Sequence, residues 1–319
     1  MPLADSPTGN PLPHPPSGDV DDPPARRAAG PRSSRIRAYY ELTKPGIALF
    51  VMMTAGVAYF VGARGEAQLL PVIHTLVGTL LATAGALALN QYLEREVDAR
   101  MVRTRQRPVP SGRLRPAEAL LFGSTLILGG CGYLWLTVGG LPAALTLFSA
   151  FAYNFIYTPL KPRSYMATLA GAIPGAMPAL IGWSAATGTV SLGGLVLFAI
   201  AFLWQLPHVL ALAWLLREDY TRAGFLLTPP ADPAGRVIAR QMNLYTVTLI
   251  PVSLLPTLLQ LTGYIYFFGA LILGSVLLVW TMKAGRDMNR DAVRRVFLGS
   301  LAYQPLLLAL MLVNTLPAG

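Results

Sequence analysis

The chain has 319 residues, of which 54% are hydrophobic and 13% charged, with a mean hydropathy of +0.51 and a formal net charge of +10. A typical soluble domain carries about 25% charged residues, so this composition describes a membrane protein. The excess of positive charge does not describe a nucleic-acid binder, because the basic residues sit in short loops between apolar spans, without a groove-reading module or a basic strand interleaved with aromatics.

Residues 1–38 are rich in Pro, Gly and Ser and contain DVDDPP, too little apolar content for a core, and are expected to form a disordered cytoplasmic tail ahead of a single domain at 39–319. The tail has no apolar stretch of the kind a secretory signal needs. Asp5, Asp19, Asp21 and Asp22 argue against a mitochondrial presequence and favour a bacterial protein. From there the apolar pattern predicts an all-α, polytopic membrane protein with nine transmembrane helices, at about 45–62, 71–93, 117–137, 141–157, 167–186, 192–215, 241–261, 264–282 and 296–316. Of the 25 Lys and Arg residues, 24 fall on one side of that arrangement, Arg64 being the exception. By the positive-inside rule the N-terminus and the motif-bearing loops are cytoplasmic and the C-terminus is periplasmic, in the bacterial inner membrane. The lone Cys131, inside an apolar span, excludes an internal disulfide and a multi-cysteine metal site.

Three polar constellations share the cytoplasmic face. At the end of the second span, residues 90–115 hold Glu94, Glu96 and Asp98 and seven arginines, among them Arg103 and Arg107. Asn90, Glu94 and Asp98 follow one another at i, i+4 and i+8 along one helix face. Two carboxylates and an amide oxygen suit a hard cation such as Mg2+, and arginine is the side chain that grips phosphate. Glu96 lies about 200° round a regular helix from Glu94 and joins the site only if the helix unwinds. The fourth span ends in YNFIYTPLKPRS, with Tyr153, Asn154, Tyr157, Lys161 and Arg163. The sixth ends in WQLPHVLALAWLLREDYTRAG, with Pro207, His208, Glu218, Asp219 and Arg222. The second and sixth spans, four helices apart, both finish in acids and arginines, the pattern an internal duplication leaves.

Taken singly, each constellation has an ordinary explanation: a solvated helix end, a topology signal, a polar group between helices, an interfacial aromatic belt. Their coincidence at the same ends of different helices is what one polar pocket open to the cytoplasm requires.

The run Asn90, Glu94, Glu96, Asp98, Met101, Arg103, Thr104, Arg107, Pro108 resembles the first motif of the protoheme IX farnesyltransferase (heme O synthase) branch of the UbiA-type intramembrane prenyltransferases. LTKPG at 42–46, YTPLK at 157–161, GAIPGAMPALIG at 171–182, WQLPH at 204–208 and DYTRAG at 219–224 are similar to its other signatures, in the same order. Glu94 and Glu96 stand where the family pattern has aspartates, and Ala167 where it has an asparagine. The resemblance implies nine helices around a central cavity with helical cytoplasmic loops, and the substrates heme B and farnesyl diphosphate with Mg2+. It implies transfer of the farnesyl group to a vinyl group of heme B, with addition of water, giving heme O for heme-copper oxidases. Mg2+ would lie on Asn90, Glu94 and Asp98, with a second ion on Asp219. Diphosphate would lie on Arg103, Arg107, Lys161 and Tyr157, and heme near His208. Beyond membrane lipid, a heme A synthase or oxidase assembly factor is the partner such a product implies.

Two alternatives come from the same residues. A quinone precursor is the rival acceptor, against which WQLPH and DYTRAG argue. A transporter with an intramembrane cation site is the other, although transporters place such groups near the midplane on broken helices, not at one surface.

Overall fold

The computed structural model describes residues 32–229 and 232–317. Among these residues the protein is helical, apart from a single antiparallel bridge between Thr262 and Thr315. It opens on α1 (Arg32–Leu42), which begins inside the segment expected to be a tail. The reason is local: Ala38 and Leu42, one turn apart, pack on Leu114 and Ala119, while Arg35 pairs with Glu118 and Arg37 with Glu41. Residues 1–31 of that expected tail lie outside the described residues.

Then follow α2 (Pro45–Gly62), α3 (Leu69–Leu93), the short α4 (Arg95–Asp98), α5 (Pro116–Thr137) and α6 (Gly140–Phe151). From α6 the chain passes through a π-helical turn at Ala152–Tyr157 into α7 (Thr158–Leu160), and on to α8 (Ala167–Thr187), α9 (Leu192–Leu215) and α10 (Arg217–Ala223). The last three are α11 (Arg236–Leu258), α12 (Tyr264–Asp287) and α13 (Arg290–Val313). Eight of these runs are long and apolar enough to cross a membrane: α2, α3, α5, the continuous stretch from α6 through α7, α8, α9, α12 and α13. The chain is a multi-pass membrane protein. α11 is of similar length, but Arg236, Arg240, Gln241 and Asn243 in its first turns dilute its apolar run.

Small residues let the helices approach closely, as expected where lipid removes the hydrophobic drive between apolar faces. A Cβ at Gly85 of α3 would lie 2.6 Å from the Gly123 carbonyl oxygen of α5, and one at Gly182 of α8 would lie 1.9 Å from the Ala55 carbonyl oxygen of α2. The main core joins α2, α8, α9, α11, α12 and α13 around Trp183, Trp204, Tyr266 and Tyr303. Leu121, Leu128, Leu136, Ile265 and Ile272 face outward; in water such a surface promotes aggregation, whereas in lipid it is the solvated surface.

Local helix irregularities border the site. α3 stops at Leu93 and Glu94 sits at φ −93° and ψ 7°, yet the Glu94 N–H still donates to the Asn90 carbonyl and the Asp98 N–H to the Glu94 carbonyl, so the i, i+4, i+8 spacing carries Asn90, Glu94 and Asp98 into one buried group while Glu96 stays exposed. In the fourth span, Pro159 has no N–H to donate to the turn before it, and that turn is the wider π-helical one. Thr158 Oγ1 donates to the Tyr153 carbonyl at 2.9 Å.

Candidate active site

Five elements converge at the ends of α3 and α6. Asn90, Glu94 and Asp98 are buried. Lys161, just after α7, donates from Nζ to Glu94 Oε1 at 2.6 Å. Its ammonium also lies 4.4 Å from the centroid of the Tyr157 ring and 5.6 Å from that of Phe225. Burial works against the Lys161 charge, yet Tyr157, Glu94 and Tyr153 around it hold its pKa above the ordinary lysine value. Arg107 donates from Nη1 to Asp98 Oδ2 at 2.7 Å, and Thr104 Oγ1 donates to the Asp98 backbone carbonyl at 2.8 Å. Asn90 Nδ2 donates to Thr158 Oγ1 at 3.0 Å, which fixes its amide with Oδ1 toward Lys44 Nζ, 3.5 Å away.

Lys44 carries a signal that sequence reasoning missed: the Lys-Pro-Gly before α2 was matched to the family without a role. Its backbone is left-handed, φ 44°, which places its side chain among the site cations. Burial, then the Arg107 and Lys161 charges, pull its pKa down to about 7. Arg103, exposed, lines the opening of the site with Lys44, Arg107 and Gln91. Three or four cations crowded against two carboxylates is an arrangement that an anion relieves.

Below this mouth lies a cavity of about 260 Å3 between α2, α3, α6, α8 and α9. Tyr153 and Tyr157 border it, and its walls are largely apolar, from Ile47, Val51, Leu87, Pro178 and Ile181. Gly171 leaves room for the Tyr157 ring, to which a Cβ there would come within 2.7 Å. Pro178 has no N–H for the Pro174 carbonyl, and Ser149 of α6 donates to it instead at 3.2 Å, tying two cavity walls together.

Two predicted residues stand apart. Asp219 of α10 is half-buried at the rim, its Oδ1 accepting from the Val102 N–H at 3.2 Å and from Arg222 at 3.4 Å. His208 does not line the cavity. It faces α13, with Nδ1 2.9 Å from Ser300 Oγ and its ring stacked between Trp204 and Phe297.

As to a metal, among the described residues no group of three His, Cys, Asp or Glu side chains is gathered to hold one. The fit rests on two acids and an amide: Asp98 Oδ1 is buried without a hydrogen-bond partner, and such an atom is satisfied by a cation. The chemistry of Asn90, Glu94 and Asp98, all oxygen donors, suits Mg2+.

A helical membrane bundle with a cation-and-acid mouth over a largely apolar cavity defines an intramembrane enzyme handling a lipid anion. Residues 51–310 match the model of the UbiA prenyltransferase family, and the chain belongs to that family. It is 44% identical over 288 residues to a protoheme IX farnesyltransferase of Solibacter usitatus, covering 88% of this chain and 99% of that one. It is 38% identical over 281 residues to the protoheme IX farnesyltransferase of Aquifex aeolicus, covering 88% and 95%. Among solved structures, a digeranylgeranylglyceryl phosphate synthase superposes with a TM-score of 0.74 at 16% identity, covering 88% of this chain and 98% of that one. A UbiA homolog from Archaeoglobus fulgidus bound to GPP and Mg2+ superposes with a TM-score of 0.58 at 13% identity, covering 86% and 99%. These two likenesses concern the fold.

Proposed function

We propose that this prenyltransferase moves the farnesyl group of farnesyl diphosphate onto a vinyl group of heme B, with addition of water, to make heme O. The observation that carries the reading is the stacking of the Glu94–Lys161 and Asp98–Arg107 ion pairs at the mouth of the apolar cavity. A diphosphate with an isoprenoid tail has that same division into a charged head and an apolar chain. The farnesyltransferase relatives at 44% and 38% identity favour heme B over a quinone precursor as acceptor.

Each group has a task. Arg103, Arg107, Lys44 and Lys161 hold the diphosphate oxygens, Arg107 with a planar fork that fits them in pairs. Mg2+ held by Asn90, Glu94 and Asp98 would supply charge neutralisation for the leaving diphosphate. When the C1–O bond of farnesyl diphosphate breaks, its electron pair leaves with the diphosphate, which these cations retain. The allylic cation then lies against the Tyr153 and Tyr157 rings, whose faces favour positive charge. The terminal vinyl carbon of heme supplies the pair for the new C–C bond, and positive charge appears on the carbon beside the macrocycle, where water adds. Asp219 holds the Met101–Arg103 loop over the mouth through the Val102 N–H. His208 anchors α9 to α13 through Ser300.

On topology, we infer that α11 is the ninth crossing, with the N-terminus cytoplasmic and the C-terminus periplasmic in the bacterial inner membrane. The lopsided Lys and Arg distribution supports this. A heme A synthase or oxidase assembly factor is the consumer such a product requires.

The direct experiment gives the purified protein heme B, farnesyl diphosphate and Mg2+ and weighs the product. Heme carrying one farnesyl group and one water is expected, and EDTA stops its formation. Transfer to an aromatic acid, or none with both substrates bound, would overturn the reading.

A further inference from the structure

The WQLPH segment of α9 has two faces. Trp204 and His208, one turn apart, point to α13, where Trp204 Nε1 donates to the Ser300 carbonyl at 2.7 Å. Gln205 and Val209, also one turn apart, point the other way and line the cavity. The Gln205 amide is fixed: its Nε2 donates to the Ala172 carbonyl of α8 at 2.8 Å and to the Ala201 carbonyl of its own helix at 3.1 Å. Two carbonyls on one side settle which end is nitrogen. Oε1 is therefore the end presented over Gly175, so close that a Cβ at that position would lie 2.1 Å from it.

The Thr146 and Ser149 hydroxyls, on the same cavity, donate to the Pro142 and Pro174 carbonyls. The Thr168 Oγ1 is buried out of reach of water, whereas Tyr153 and Tyr157 bring two further hydroxyl-bearing side chains to the cavity wall. Gly175 is one turn, about 6 Å of helix, beyond Gly171 and the Tyr157 ring. A buried water needs two or more polar partners; the Gln205 carbonyl supplies one just below the charged mouth, where Tyr153 and Tyr157 also line the cavity.

We propose that Gln205 holds and directs the water that ends the reaction; the inference rests on the heme reading above. Once the vinyl pair has formed the new C–C bond, the water donates one of its O–H groups to the Gln205 carbonyl oxygen. That leaves an oxygen lone pair aimed at the cationic carbon, where the C–O bond forms. The surplus proton passes to the released diphosphate, the base that the reaction itself generates. Without a directed water the same cation loses a carbon-bound proton to that base and becomes an alkene, so the farnesylated product is lighter by one water.

The test measures, by mass spectrometry, the ratio of hydrated to unhydrated farnesyl-heme made by the full-length protein with heme B, farnesyl diphosphate and Mg2+. Gln205→Leu removes the acceptor. Gly175→Ala keeps Gln205 but pushes its carbonyl aside, and the atom it meets is the end of a flexible side chain. Both are expected to lower the ratio about tenfold, the factor one hydrogen bond of ordinary strength governs. A merely structural strut would change yield and leave the ratio alone. An unchanged ratio in both variants overturns the proposal, as does loss of all transfer in both while farnesyl diphosphate still binds. Wild-type protein that farnesylates no heme would refute the functional reading itself, before any variant is compared.

Discussion

The ends of α3 and α9 are built alike and charged differently. Each helix stops at a residue in the same non-helical geometry, Glu94 at φ −93° and ψ 7° and Leu216 at φ −107° and ψ 15°, and a short helix restarts one residue later. In each, the first residue of the restart is an arginine that donates to the carbonyl three residues back, Arg95 to Tyr92 at 2.9 Å and Arg217 to Trp214 at 3.0 Å. Each guanidinium also lies over that aromatic ring, 4.7 Å and 4.4 Å from the centroid. The hinge is thus a repeated piece of architecture. Its chemistry is not repeated: Glu94 corresponds to Leu216, and Asp98 to Tyr220. In the second hinge Glu218 is the counterpart of Glu96, exposed like it, and Asp219 sits one position before the counterpart of Asp98. The comparison supports the duplication that the sequence pattern hinted at, and it locates the chemistry in the residues the two copies do not share.

The largest effect should come from the acid with no counterpart. Asp98→Asn is expected to lower turnover at least about a hundredfold, the loss that even an outer contact of a metal site brings, with helicity and solution size unchanged. Activity near wild type at low Mg2+ would remove Asp98 from the metal site.

Next in size is Glu94→Leu, which copies the second hinge into the first. The backbone break has no need of the carboxylate, so the fold should survive, but Lys161 is left buried without its partner. A cost of about 3–5 kcal/mol is expected for an ion pair broken on one side, read as a fall in the thermal midpoint in detergent together with loss of turnover. Glu94→Asp, which restores the residue of the family pattern, should keep activity. If Glu94→Leu were as stable as wild type, the ion pair would be incidental.

Asp219→Asn should do much less. An amide oxygen still accepts from the Val102 N–H, so turnover within about tenfold of wild type is expected, since hydrogen bonds to a charged group are worth about 1.5–3 kcal/mol and only part of that is lost. A collapse equal to that of Asp98→Asn would place Asp219 on the metal after all and make the two hinges chemically equivalent.

These differences mark where sequence reading works in this molecule and where it stops. The apolar spans were legible because a run of about 20 apolar residues has few other uses, and their predicted limits agree closely with α2, α3, α5, α8 and α9. The outward position of Glu96 was legible from helical angle. The break at Glu94 was not, because neither Gly nor Pro marks it. Nor was the orientation of His208: a helix apolar all round gives no sign of which polar residue faces a cavity and which a neighbouring helix. Lys44 escaped notice because a single lysine ahead of a span reads first as a topology signal.

The smallest effect is the sharpest check on the repeated hinge. Arg95 and Arg217 make the same two contacts, neither with a site residue: a hydrogen bond to a helix-end carbonyl and a stacking over an aromatic ring. The additional Arg95–Glu96 pair, at 3.2 Å, is exposed and adds little. Arg95→Ala and Arg217→Ala should therefore cost the same, each about 0.5–1 kcal/mol for a cation over an aromatic at an accessible site, with kcat unaffected. Thermal midpoints measured side by side in one detergent decide it. Equal small losses fit one hinge used twice, whereas a loss confined to Arg95, or one accompanied by a fall in kcat, would mean that the first hinge is held by its chemistry and that its likeness to the second is coincidental.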